Sequence, residues 1–464
     1  MCNGYARPPH VSPPEPSHLR TLVPKNQPNG TSISRQPRAT IFATESEHRF
    51  FHLFVAKTAH SISGFFDSEI WNRIVLQACQ NESSIRHAVI AIGALDMTTM
   101  TVRDFKARNG CISSEKDEAA IGHHQFALQH YSKAIACMRE AVARGTQPLR
   151  TTLLACMLIV CFETYHGDHK AALSQIQAGL GLIVGWFRSK SLGSGTISSN
   201  ESEIIEDEIY EAFGRLDTQV MTFPDSRPLS DHEEMMKCHA DALAAMPQSF
   251  PSIRTARFYS DIIMRRLMHF RIFHADTHRD TMAQAVGSNE AIADPTEEMK
   301  LELAKYMSDL ERWRSAFDPL MSRLLKFGRE KEYLSGLCLE YVTLIFSMLK
   351  RYNTNRYPSV HNLNNSTSLA GTLGKDQMRF DRFLPQYKAI VSKCRILLAD
   401  LKSSFSSSFL FDVQCIMPLY IVGRKCRDPV VRREAIALLL MVRVYGSLSS
   451  YSRVARLESH NWVS

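Results

Sequence analysis

The chain has 464 residues, more than one hydrophobic core ordinarily serves, so two or three lobes or one extended helical body are expected. Hydrophobic residues make up 44% and charged residues 22%, which excludes a fibrous or wholly disordered polypeptide. The net charge of +8 is scattered along the chain and is not gathered into the dense basic patch of a free-standing nucleic-acid binder.

Residues 1–43 contain PPH, SPPEPS and RQPRAT without any apolar period and are expected to form a disordered, proline-rich arm. Order is expected from residue 44, where Thr44 and Glu47 have the form of a capping box. Phe50, Phe51, Phe54, Val55 and Thr58 then fall on one face of a helix. SEIWNRIVLQACQ and ESSIRHAVIAIGALDMTTM read as two helices joined by a polar turn at residues 80–84, hence packed antiparallel. After the polar break RNGCISSEKDE, the segment HHQFALQHYSKAIACMREAVARG carries a stripe of Phe126, Leu128, Tyr131, Ile135, Met138 and Val142, closed by Gly145.

The longest apolar run, LLACMLIVCF at 153–162, lies between Arg150 and Glu163 and is about half the roughly 20 residues a membrane span needs, so no membrane association is expected. A turn at Gly167 and Asp168 leads to a second apolar helix ending near residue 187, which makes a helical hairpin. Residues 188–202 are expected to be a disordered insertion, after which EIIEDEIYEAFGRLDTQVMTF resumes helix with an acidic first turn. Further helices are expected at 251–275, 296–326, 329–352, 378–406 and 429–446, with a second disordered insertion at 353–377. No stretch shows the alternation of a strand, so the fold class is all-α, an irregular multi-helix body of helical hairpins.

The eleven cysteines are widely spaced and mostly lie in apolar runs, the pattern of free thiols in a reducing compartment. GLGLIVG, with Gly179, Gly181 and Gly185, lacks the preceding strand of a dinucleotide loop and reads as helix packing. His123, His124 and His130 share a helix, and His166 and His169 flank a turn, but none has a metal-ligand spacing with a carboxylate. Cys156 and Cys161, about 140° apart around the most apolar helix, read as core residues. Glu201, Glu203, Glu206, Asp207, Glu208 and Glu211, interleaved with Ile204, Ile205, Ile209 and Tyr210, read as the solvated face of an amphipathic helix. Phosphate-loop, serine-elbow and diphosphate-metal motifs are missing. The sequence thus assigns no catalytic, cofactor-binding or metal-ligating residue, and the chain is not expected to be an enzyme.

Several segments, taken in order, carry a resemblance. At the front stands FFHLFVAKTAHSISGFFDSEIWNRIVLQACQNESSIRHAVIAIGAL, with Trp71 before an apolar helix and Arg86, His87 and Ala88 opening the next. In the middle, FALQHYSKAIACMRE is followed by LLACMLIVCFETYHGDHKAALSQIQAGLGLI. Later come GRLDTQ at 214–219, ERWRSAFDPL at 311–320 and KCRDPVVRREAIALL at 425–439. Together they resemble the fungal-specific regulatory domain that follows the six-cysteine, two-zinc cluster of fungal transcription factors, from about residue 45 to the end. RVYGSLSS at 443–450 departs from the pattern of many relatives, arginine, any residue, glutamate, glycine, any residue, tryptophan.

At the start, CNGYARPP at 2–9 resembles the closing stretch of the zinc cluster, and Cys2 would be its last zinc ligand only if upstream sequence were restored. Two zinc ions sharing six thiolates need all six, so zinc is expected as a cofactor only of that missing cluster. The resemblance implies a regulator of transcription, often of metabolic or secondary-metabolite genes. Its implied partners are transcriptional coregulators or other proteins and a small-molecule effector, with DNA reached only through the zinc cluster or a partner. The implied location is the nucleus, joined by the cytoplasm if the short N-terminus is genuine. A competing reading rests on ALQHYSKAI, which resembles a tetratricopeptide helix and suggests a scaffold for protein–protein interaction, but no repeat of roughly 34 residues accompanies it.

Overall fold

The computed structural model describes residues 41–66, 69–107, 114–192, 205–221, 225, 227–285, 297–327, 330–353, 377–404 and 415–443. The chain divides into two compact units, Met1–Ala43 and Thr44–Ser464. Residues 1–40, Cys2 among them, lie outside the described residues, as do 193–204 and 354–376, where the two insertions are expected. Among the described residues every regular element is helical, so the fold is all-α.

Helix α1, Glu45–Leu53, begins at Thr44, whose extended backbone frees its Oγ1 to accept the Glu47 N–H at 3.2 Å. It continues through a π-helical turn, Phe54–Thr58, into α2, Ala59–Ser63, which stops at Gly64 with φ of 62°. Phe50, Phe54 and Thr58 are buried, but Val55 is 40% exposed. The wider π turn shifts the phase of the helix at this point, which is why a strict 3.6-residue period misplaces Val55.

A second π turn, Ile70–Ile74, buries Trp71 and leads into α3, Val75–Asn81, then α4, Ser83–Ala107. Arg86 Nη1 donates to the Cys79 carbonyl at 2.7 Å, closing one of the open carbonyls at the end of α3. Helix α5, Ser114–Ala143, packs along α4. Its buried positions are Ala120, Ala127, His130 and Ala134, whereas Val142 of the expected stripe is 57% exposed. Small side chains on that face permit a close helix-to-helix approach, so volume and not hydrophobicity selects the buried positions.

The apolar run 153–162 lies wholly buried in α6, Leu149–His166. Gly167, at φ 98°, turns the chain as expected, its N–H and that of Asp168 both donating to the Glu163 carbonyl at 2.8 and 2.9 Å. Helix α7, His169–Leu192, carries on through residues 188–192, which the sequence had suggested as loop. There follow α8 (Asp207–Val220), α9 (Leu229–Lys237), α10 (Ala240–Ala244), α11 (Ile253–Ala285), α12 (Glu297–Phe327) and α13 (Glu330–Asn353). A 3₁₀ turn, Gln377–Phe383, precedes α14 (Leu384–Ser404), and α15 (Ile416–Lys425) and α16 (Pro429–Arg443) complete the described chain.

Two helices organise the packing. Around α4 lie α1, α3, α5 and α6, with α7 against α6. Around α11 lie α8, α9, α12 and α13, and α13 hands on to α14, which packs with α15 and α16. The contact of α7 with α8 joins the two groups. At that contact a Cβ on Gly179 would come within 2.3 Å of the Phe213 ring, while Gly181 and Gly185 face open space. Gly179 is therefore a packing glycine, and GLGLIVG is part of a helix interface. The nine described cysteines are free, and burial pushes the thiol of Cys161 well above its ordinary range.

Candidate ligand cleft and its charge network

A cleft of about 510 Å³ opens where the end of α2 meets α8, α11, α12 and α13. That volume is suited to a small organic molecule. Its apolar wall includes Phe65, Phe66, Ile253, Leu320 and Leu324. The Ser335 hydroxyl holds this wall by donating to the Phe65 carbonyl at 2.5 Å, with the Lys331 carbonyl also in reach at 2.8 Å.

The polar wall is made of ion pairs. Arg254 Nη2 lies 2.8 Å from Glu208 Oε1, and its Nη1 lies 3.5 Å from Glu69 Oε1. Deeper in, the Arg257 guanidinium sits 3.8 Å over the Phe66 ring, with its Nε 3.7 Å from Asp261 Oδ2. Arg215 Nη1 approaches the same Asp261 oxygen at 3.6 Å. Burial pushes Arg257 down to about 9, reinforced by the neighbouring Arg215 charge, and burial likewise raises the carboxyls of Asp261 and Glu211. Glu208 goes the other way: burial opposes its charge, but backbone hydrogen bonding and Arg254 together hold its carboxyl below the usual range.

Beside the cleft, the same helix α11 presents Arg265 and His269 to a wholly buried carboxylate, Asp217 of α8. Asp217 accepts from Arg265 Nε at 2.9 Å and from Arg227 Nη1 at 2.7 Å, and lies 3.0 Å from His269 Nε2. His269 Nδ1 is 2.9 Å from Nδ1 of His232 on α9, and Arg227 also pairs with Asp225 at 2.5 Å. Against the cost of burial, His269, Arg227 and Arg265 hold the Asp217 carboxyl well below its ordinary range. Burial, with His269 and Arg227 nearby, pushes His232 down to about 4. Arg265 Nη1 donates to the Tyr210 hydroxyl at 2.9 Å and so connects the network to α8 a second time.

Arg257, Asp261, Arg265 and His269 recur every fourth residue, which puts them on one face of α11. That ladder was visible in the sequence, but no candidate was drawn from it. Its partner Asp217 sits within the GRLDTQ stretch, noted only as a landmark. Of the acidic face expected to be solvated, Asp207 is exposed, but Glu206 pairs with Arg150 and the side chain of Glu208 is 19% exposed beside Arg254; Glu201 and Glu203 lie outside the described residues.

The five histidines weighed in the sequence are spread over α5, α6 and α7. His123 packs on Phe50, His124 stacks on His166, and His169 opens α7. His130 alone among them is joined to a second imidazole and a carboxylate, His87 and Glu47. Among the described residues, no helix is long and apolar enough to cross a membrane.

The described residues thus form an all-helical body, assembled around α4 and α11, with an ion-paired cleft beside α11. Residues 49–204, from α1 to the segment before α8, match the fungal specific transcription factor domain. A relative from Purpureocillium lilacinum, named Transcription regulator lscL, is 24% identical over 183 residues, which are 39% of this chain and 42% of the relative. The chain thus spans under half the length of that curated relative. No solved structure matches.

Proposed function

We propose that the chain is a fungal transcriptional regulator, and that its helical body, residues 44–464, is the regulatory region. The match of residues 49–204 to the fungal specific transcription factor domain carries this reading, and a relative named as a transcription regulator supports it. The body acts as a regulator and not as an enzyme, works in the nucleus, and serves metabolic or secondary-metabolite genes. DNA is reached through a zinc cluster to which Cys2 would belong, or through a partner protein.

The cleft receives a small-molecule effector. Its apolar wall suits a hydrocarbon or aromatic body, and the Arg–Glu pairs at its rim can exchange partners with a polar substituent. An effector changes the output only if it favours one conformation of the body over another. Helix lengths from 5 to 33 residues do not favour the tetratricopeptide reading, which needs near-identical stacked pairs.

The test is to fuse the full chain to a heterologous DNA-binding domain and read a reporter in a fungal cell. Transcription shifted several-fold, with a response to metabolites that a cleft substitution such as Leu320→Trp abolishes, is the expected result. A fusion that is stable and nuclear yet leaves the reporter unchanged overturns the reading.

A further inference from the structure

The cluster of Glu47, His87 and His130 lies apart from the cleft and has no part in the reading above. Three helices build it. Glu47 comes from the first turn of α1, fixed there by the Thr44 cap, His87 from the first turn of α4, and His130 from the middle of α5. His87 Nδ1 and His130 Nδ1 are 3.2 Å apart, and Glu47 Oε1 is 3.7 Å from His130 Nε2. One ligand atom from each of the three residues falls within 4.8 Å of the others.

Two imidazole nitrogens bound tetrahedrally to one zinc ion, at about 2.0–2.1 Å each, stand roughly 3.3 Å apart. The pair therefore already has the separation of two ligands on one metal. Its competitor is a simple hydrogen bond between two neutral imidazoles, which the same separation also fits. Glu47 lies by the other nitrogen of His130, Nε2, so the competitor in full is a relay of hydrogen bonds from His87 through His130 to Glu47. A buried carboxylate with two imidazoles in ligand reach is also the donor set a divalent ion takes.

The ring of His130 is held in place by the Phe126 ring stacked on it at 4.4 Å, with Phe50 behind Phe126 at 5.0 Å. His87 is only half-buried, so the cluster is not wholly sealed from solvent. Nitrogen donors disfavour magnesium and calcium and select zinc-class ions.

We propose that Glu47, His87 and His130 form a binding site for a zinc-class divalent ion that clamps α1 to the α4–α5 pair. A water molecule completes the four-coordinate shell.

The test uses the full chain, stripped with a chelator and titrated with cobalt(II) as a spectroscopic stand-in for zinc. The expected result is one equivalent bound with the visible bands of tetrahedral cobalt, no near-ultraviolet thiolate band, and displacement by zinc. His87→Gln, at the half-buried position, should weaken binding on the order of 100-fold, and His130→Gln and Glu47→Gln should weaken it as well. Saturating zinc should raise the melting temperature by roughly 4 °C in the wild type and leave His87→Gln unmoved. Should His130→Gln fail to fold by circular dichroism, the wild-type spectrum and His87→Gln still decide. A thiolate band alone places the metal on cysteines, and no tetrahedral band, or one unchanged in His87→Gln, leaves only a hydrogen-bonded histidine pair. Each of these overturns the proposal.

Discussion

The group of helices around α4 and the group around α11 are held together by different forces. In the first, α6 buries an unbroken apolar run, α5 presents alanines, and Gly93 lets α4 approach α1 so closely that an added Cβ would lie 2.2 Å from the Phe50 carbonyl oxygen. In the second, α11 buries Arg265 and His269 against their partner Asp217, and farther along the same helix the Ala256 carbonyl accepts from Trp313 Nε1 at 2.7 Å. Dispersion and apolar burial are indifferent to pH, whereas a buried charge network is stable only in one protonation state. Acid also reaches the first group through His130, which burial pushes down to about 4, so the contrast rests on the ion pairs of Asp217 and not on a buried histidine alone.

The largest expected effect is in the charged group. Asp217→Asn leaves Arg265 and Arg227 facing a neutral amide and should cost about 4 kcal/mol in urea unfolding. Hydrogen exchange should then show lost protection in α8, α9 and α11 with α4 and α6 unchanged. Equal loss throughout would mean that the two groups unfold as one unit, and the contrast would fail.

Next comes acid. His232 is pushed down to about 4 in the folded chain, so below its ordinary value near 6.5 the unfolded chain takes up the proton first. Stability from this group is complete above that value and is lost as pH falls from roughly 6.5 to 4, by about 3 kcal/mol in all. The carboxyls of Asp217 and Asp225, held low in the fold, remove more as pH drops further. Urea midpoints of wild type and His232→Gln, compared at pH 7 and pH 5, should converge toward the acid side. Parallel curves would show that His232 does not set the acid limit.

In the α4 group, Gly93→Ala should cost about 2–3 kcal/mol, because the new methyl meets backbone and has no side chain to push aside. This loss should be the same at pH 7 and pH 5, in contrast to the charged group. The smallest effect is expected at α16, where Asp428 Oδ1 accepts the Val430 and Val431 N–H groups, both at 3.0 Å. Asp428→Ala should lower stability by about 1 kcal/mol, read from the thermal midpoint.

What was legible in the sequence divides along the same line. The Thr44 cap, the buried run of α6 and the Gly167 turn are local signals, and each stands where the pattern places it. Helices α9, α10 and α15 were not anticipated: LSDHEEMMK is mostly polar, α10 is a single short turn, and Pro418 interrupts the pattern of α15. Proline within the first turn of a helix gives up no intrahelical bond, so α15 forms regardless. The four-residue ladder on α11 was legible as a pattern, but its meaning depends on Asp217, which another helix supplies. Glu47, His87 and His130 are separated by tens of residues in the chain and share no spacing. Only the meeting of three helices makes them neighbours.

The ladder on α11 also limits how that helix can move. Its charged rungs, Arg257, Asp261, Arg265 and His269, stand four residues apart, or about 6 Å along the axis. A slide of half that distance would leave Asp217 opposite a gap between rungs, with its negative charge sealed away from water. A slide of a whole rung would bring a different residue to the same carboxylate. One such step would set Asp261, a second carboxylate, where Arg265 stands, so the ladder opposes sliding of the helix.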